Sequence, residues 1–185
     1  ESSTKTEKAL FDIQETAYTL TGCFDTTDVD YIFTQTSTAR INGIANASGT
    51  VQYEARLHVD GVNDSSAPTF ESGFMYNIAY SSDMDYSTNM NGLGQGNTAV
   101  TYELVTTTSA GSYLGQSGLG GYGASRIPCS DFNTSTGRLR INEDSCGSGE
   151  DITDLNPGSG TKVYAFKVKA VDADGQYATR DVLLS

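Results

Sequence analysis

From Val51 to Asp60 the chain alternates without a break, with Val51, Tyr53, Ala55, Leu57 and Val59 on one side and Gln52, Glu54, Arg56, His58 and Asp60 on the other. Residues two apart share a face only in an extended strand, so this stretch reads as a half-buried strand whose second set faces water. The same period returns at Val100, Tyr102 and Leu104, and at Leu139 and Ile141 between Arg138 and Arg140. It returns again at Tyr164, Phe166, Val168 and Ala170, and in a last run from Tyr177 to Leu184 after a turn at Asp174-Gly175. Short strands separated by Gly, Asn, Asp and Ser turns, with no helical period between them, predict a mainly β fold built as an antiparallel sandwich.

The first 50 residues read differently. Leu10, Ile13, Ala17 and Leu20 recur at spacings of three and four, with Glu7, Lys8, Asp12 and Glu15 elsewhere on the wheel. That spacing predicts one N-terminal amphipathic helix over 5–21, ended by Gly22. Residues 24–48 are Thr-rich around Tyr31-Ile32-Phe33 and read as irregular structure or a strand pair. The chain therefore divides into 1–50, a helix and a Thr-rich segment, and 51–185, the sandwich domain with a Gly-rich loop over 106–128. Within that loop Gly118-Leu-Gly120-Gly-Tyr-Gly123 matches a dinucleotide-binding G-x-G-x-x-G by letter. A dinucleotide site needs a helix to follow, whereas Arg126-Ile-Pro-Cys follows here, so the match reads as a surface loop.

Composition excludes several function classes. A net charge of −12 repels phosphate backbones, and the 11 basic residues cluster no more tightly than Arg138/Arg140 or Lys162/Lys167/Lys169, which argues against nucleic acid as a partner. No stretch approaches the roughly 18 apolar residues of a membrane span, and no basic-then-apolar leader follows Glu1. Ser and Thr make up 43 of the 185 residues, a polar and uncharged surface composition. Cys129 and Cys146 are separated by 16 residues rich in turn formers, with no metal-type Cys/His spacing, so a disulfide is the better reading. Such a closed loop adds roughly 3 kcal/mol in the chain-entropy model. Cys23 leaves three connectivities open. Asn46, Asn63 and Asn133 each begin an N-x-Ser/Thr sequon.

The chemistry-bearing residues are mostly carboxylates. With one histidine and no G-x-S-x-G elbow, nucleophilic hydrolysis lacks its parts, and the chain reads as no enzyme. Carboxylate pairs such as Asp83/Asp85, Asp151/Asp154 and Asp172/Asp174 keep a secreted carbohydrate-active enzyme as an alternative, although Trp, the usual sugar platform, is absent. Calcium suits the inventory better, since it takes six to eight oxygens from Asp, Asn and carbonyls gathered at loops. Four clusters offer them: Asp60/Asn63/Asp64, Asp83/Asp85, Asn89/Asn91 and Asp172/Asp174.

Four segments together resemble a cadherin-type repeat. Tyr53 to Phe70 resembles the end of one repeat and the linker into the next. Asn89-Met-Asn91 running into Leu104 resembles the family's calcium segment and following strand. Phe132 to Ile141 resembles the stretch in which a Gly leads into a strand, and Val163 to Gly175, with Val-Asp172-Ala-Asp174-Gly, resembles the strand that ends in a calcium-binding Asp. The resemblance covers about 51–185. It implies an Ig/cadherin-like seven-stranded sandwich, extracellular, with Ca2+ at Asn63, Asp64, Asn89, Asn91 and Asp172 stiffening the junction to a neighbouring module. Its partners would be other copies or neighbouring modules of a surface or filament protein. A second resemblance is to the soluble part of a type IV pilin or minor pilin. It implies a helix at Lys5–Leu20 packed on the sheet and a surface loop stapled by Cys129 and Cys146. Both imply an extracellular surface protein that works by contact.

Overall fold

The computed structural model describes residues 2–8, 13–19, 28–37, 44–47, 51–59, 66–71, 75–76, 78–105 and 126–185, with backbone alone for 2–8, 13–19, 35–37, 51–52 and 75. Among the described residues the strands are β1 (Ser2–Lys8), β2 (Ile13–Thr19), β3 (Val29–Ser37), β4 (Val51–Val59), β5 (Thr69–Phe70), β6 (Met75–Tyr76) and β7 (Asp85–Asn89). They continue with β8 (Gly92–Leu93), β9 (Thr101–Val105), β10 (Ser130–Asn133), β11 (Arg138–Asn142), β12 (Tyr164–Val171) and β13 (Tyr177–Leu184).

The main sheet runs β3-β4-β13-β12-β9. Its centre is the antiparallel hairpin of β12 and β13, paired from Tyr164↔Leu184 to Val171↔Tyr177. The sequence closes that hairpin by turn chemistry. Asp172 Oδ1 accepts the backbone N–H groups of Asp174 and Gln176 at 3.0 and 2.9 Å, and Gly175 takes the positive φ of 77°. On the far side of β13, β4 pairs only at Tyr177↔Arg56 and Ala178↔Ala55. One step on, a side chain replaces the ladder: Thr179 Oγ1 accepts the Glu54 N–H at 2.6 Å and donates to the Glu54 carbonyl at 3.1 Å. There the two strands part, and β6 takes the vacated edge in parallel at Leu183 and Leu184.

A second sheet, β10-β11-β7, lies across the core, and β5 and β8 form a separate short ribbon. Tyr102, Tyr164, Phe166, Val168, Ala170, Val182 and Leu184 of the main sheet meet Leu139 and Ile141 of the second sheet in one buried cluster. Tyr102 and Phe132 stack edge to face across it, ring centres 6.4 Å apart. The expected mainly β, antiparallel architecture is therefore present, and the five alternating runs are β4, β9, β11, β12 and β13.

The expected N-terminal helix is not. Residues 2–8 and 13–19 form an antiparallel hairpin, Ser2↔Thr19 through Lys8↔Ile13. The i,i+4 pair Ile13 and Ala17 shares a face in a strand as well as in a helix. Thr4, Thr6, Thr16, Tyr18 and Thr19 are β-branched or aromatic types that fit a pleated strand and lose rotamer freedom in a helix. The pilin-like reading loses the element through which it would assemble. Part of the Thr-rich segment is a strand: β3 pairs with β4 over nine residues, Val29↔Val59 to Ser37↔Val51. Of the expected Gly-rich loop, 106–125 lies outside the described residues, as does Cys23.

Tyr102 ties the two sheets together. Its hydroxyl accepts the Gly92 N–H at 2.7 Å, and its backbone N–H donates to Thr134 in the β10–β11 turn at 2.7 Å. Gly137 in that turn has a φ of 67°, and a Cβ there would stand 2.6–2.9 Å from three atoms of the Tyr102 ring. Gly137→Ala therefore combines a left-handed backbone with a clash against a buried ring. It should cost about 2 kcal/mol or more, read as a lower denaturant midpoint at unchanged slope.

Candidate functional site

Three of the expected calcium ligands, Asp60, Asn63 and Asp64, lie outside the described residues. Asn89 ends β7 and Asn91 precedes β8, both exposed, Asn91 with a φ of 47°. Asp172 and Asp174 occupy the β12–β13 turn, where one oxygen of Asp172 is committed to the two backbone N–H groups named above. The fold brings these segments close: a Cβ on Gly92 would lie 3.2 Å from Ala170 Cβ, and one on Gly94 would lie 3.1 Å from Asp172 Cβ. Among the described residues no three His, Cys, Asp or Glu side chains converge as a metal cluster. Asp83 and Asp85 part company. The Asp83 carboxylate accepts the Ser81 hydroxyl, and Asp85 takes Arg140 in a fork at 3.0 and 3.1 Å. The Arg140 guanidinium holds the Asp85 carboxyl below its ordinary range.

Cys129 and Cys146 form the expected disulfide, with Cys129 fully buried. The group that organises it was not evident in the sequence. Glu150 Oε2 accepts the N–H of Gly147 at 2.7 Å and of Cys129 at 3.0 Å, and faces Arg126 at 3.3 Å. One carboxylate thus holds both arms of the bridge. The Gly147 and Cys129 amides, with Arg126 behind them, lower its pKa. Short capped turns support it from both sides: Asn142 Oδ1 accepts the Ser145 N–H at 3.1 Å, and Asp151 and Asp154 cap 152–155 reciprocally. Those turns use the Asn and Asp residues that make the chain look rich in metal ligands.

Along the face of the main sheet turned away from the core runs a band of charged side chains. Asp30 on β3 binds Arg56 at 2.6 Å and His58 at 3.1 Å, and the Arg56 hydrogen bond, followed by that of His58, lowers its pKa. Lys169 meets Glu103 at 3.1 Å and stands 4.6 Å above the Tyr177 ring. Lys167 meets Asp181 at 3.5 Å. Glu54, expected to face water with His58, is only 4% exposed and accepts the Tyr177 hydroxyl. Burial raises the Glu54 pKa against the opposing pull of that hydroxyl, Lys169 and Lys167. Burial, then Glu54 itself, raises that of Tyr177. Alternation marks which residues share this face, whereas its burial depends on what packs over it.

A cavity of about 50 Å³ is lined by Ile78, Tyr80, Met84, Ile127, Ile141, Leu155, Lys162, Tyr164, Leu184 and Ser185, well below the ~300 Å³ at which ligand pockets begin. On β3, the end strand of the main sheet among the described residues, Ile32 is 54% and Phe33 42% exposed. Of the sequons, Asn63 is outside the described residues. Asn46 uses its amide as a strand would, accepting the Ala165 N–H and donating to the Ala165 carbonyl, both at 2.8 Å. Asn133 Oδ1 accepts the N–H groups of Ser135 and Thr136 in the β10–β11 turn.

No family model and no curated protein matches the chain. Among solved structures it is similar to the protocadherin fragment PcdhgB3 EC1-4, at a TM-score of 0.38 and 14% identity, over 100% of this chain and 38% of that one. A likeness that distant assigns no residue a role.

The Glu150 cradle makes a pH prediction. A carboxyl whose folded pKa lies below its ordinary 4.5 stabilises the protein above that value and loses the contribution as pH falls through the folded pKa. Glu150→Gln should lower stability by about 1–2 kcal/mol at neutral pH. The gap to wild type should narrow in denaturation curves taken below the ordinary pKa.

Proposed function

We propose that the chain is an extracellular cell-surface module, an adhesion or filament unit that works by protein contact with other copies or neighbouring modules. The Cys129–Cys146 disulfide supports this most, because it is built into the core beneath a dedicated carboxylate, and such bridges persist in oxidising compartments. Among the described residues no helix is long and apolar enough to cross a membrane.

The contact surface is the β3 edge. Its nine residues hold no Pro and no Lys, the residues that commonly protect a strand edge, and they present Ile32 and Phe33 to solvent. Strand addition to that edge by a second copy is the contact proposed. Sedimentation velocity across the micromolar range should show reversible self-association, and Ile32→Lys should weaken it at least about tenfold, the equivalent of ~1.4 kcal/mol. A chain that stays monomeric at every concentration would remove this edge as the contact.

Calcium belongs to the same proposal, held by Asn89, Asn91, Asp172 and Asp174 with Asp60, Asn63 and Asp64. Millimolar calcium should raise the melting temperature over that in EDTA, as any ligand that binds only the native state does. Asp172→Asn keeps the oxygen that caps the turn and removes the charge, so in that variant the calcium-dependent rise should shrink. An equal melting temperature with and without calcium in the wild type would end the calcium proposal.

A further inference from the structure

Lys167 is 2% exposed, and its ammonium lies 3.5 Å from the carboxylate of its register partner Asp181 on the next strand, itself 10% exposed at the side chain. The Tyr53 ring stands 5.7 Å from the Lys167 nitrogen. Beside them on β4 lies the buried carboxyl of Glu54, with Oε1 on the Tyr177 hydroxyl and Oε2 buried without a hydrogen-bond partner. A buried amine, a buried carboxyl in contact with it and a second carboxyl close by, all away from water, are the parts of an amide-forming site.

We propose that Lys167 and Asp181 condense to an intramolecular isopeptide bond across β12 and β13, with Glu54 carrying protons for the reaction. As the reaction begins, the ammonium passes a proton to the carboxylate, giving neutral amine and acid. The Nζ lone pair attacks Asp181 Cγ and the Nζ–Cγ bond forms. The Cγ–OH bond then breaks, and that hydroxyl leaves with one Nζ proton as water. Glu54 donates a proton to the leaving hydroxyl and recovers one from Nζ, so it ends as it began. Ammonium plus carboxylate give amide plus water, charge is conserved, and no oxidant or cofactor is consumed. Burial that raises the Glu54 pKa suits it to hold the proton it lends. Register partners have Cβ atoms roughly 5 Å apart, a gap the lysine stem spans. The product replaces a buried ion pair with a neutral amide, removing the desolvation cost of two charges.

The proposal stands on this geometry and not on the surface role. Intact mass spectrometry of the reduced, denatured chain tests it. The expected mass is one water below that of the sequence, and the digest should contain a Lys167–Asp181 branched peptide. Lys167→Arg and Asp181→Ala should each restore the full mass, and Glu54→Gln should leave most of the chain at full mass. A wild-type chain at its full sequence mass would overturn the proposal. So would a water loss that persists in Lys167→Arg, which would place the dehydration at a succinimide instead.

Discussion

The ladder between β12 and β13 is the constraint on which the larger pieces of the structure depend. It carries β9 on one side and β4 and β6 on the other, and both of its faces are covered. Phe166 and Val182 pair toward the core, and Lys167 and Asp181 pair one residue away on the reverse face. A slip of one residue would exchange the two sets, placing an ammonium among Leu139, Ile141 and Tyr102. Register is therefore specified twice, once by apolar packing and once by charge pairing. The Asp172 turn fixes the starting point of both.

The second sheet is held by other means. Its strands are short, and what orders their ends is a set of side chains closing on backbone groups: Glu150 at the disulfide, Asn142 and Asp151 at the short turns, and Asn133 in the β10–β11 turn. A chain rich in hydroxyls and short of charge can build well-defined turns this way, because each cap satisfies a backbone donor that the strands leave unpaired. Much of the apparent ligand inventory is absorbed by this work.

What was legible followed from period. Five alternating runs became five strands, and the turn formers between Cys129 and Cys146 marked the bridge. The N-terminal segment misled because Ile13 and Ala17, four apart, satisfy either period, and the density of Thr around them is a weaker signal than spacing. The strand β7, Asp85–Asn89, escaped notice because only Tyr86 and Thr88 face inward and neither is an aliphatic residue. Glu54 was legible as the occupant of a face but not as a buried group, since burial is set by packing between strands far apart in sequence. The expected ligand Asp172 proved to sit where it closes a hairpin, a role the same Asp-Ala-Asp-Gly letters serve equally well.

The central strands of the main sheet come after every strand they hold. Until residues 164–184 have been made, β4 and β9 have no common neighbour, and the core cluster lacks Phe166, Val168 and Val182. In a nascent chain β4 and β9 therefore stay unjoined until this hairpin follows them, because the contacts that link them are distant in sequence. The β12–β13 hairpin is thus a late keystone: the strands made before it wait as separate pieces, and its arrival joins them.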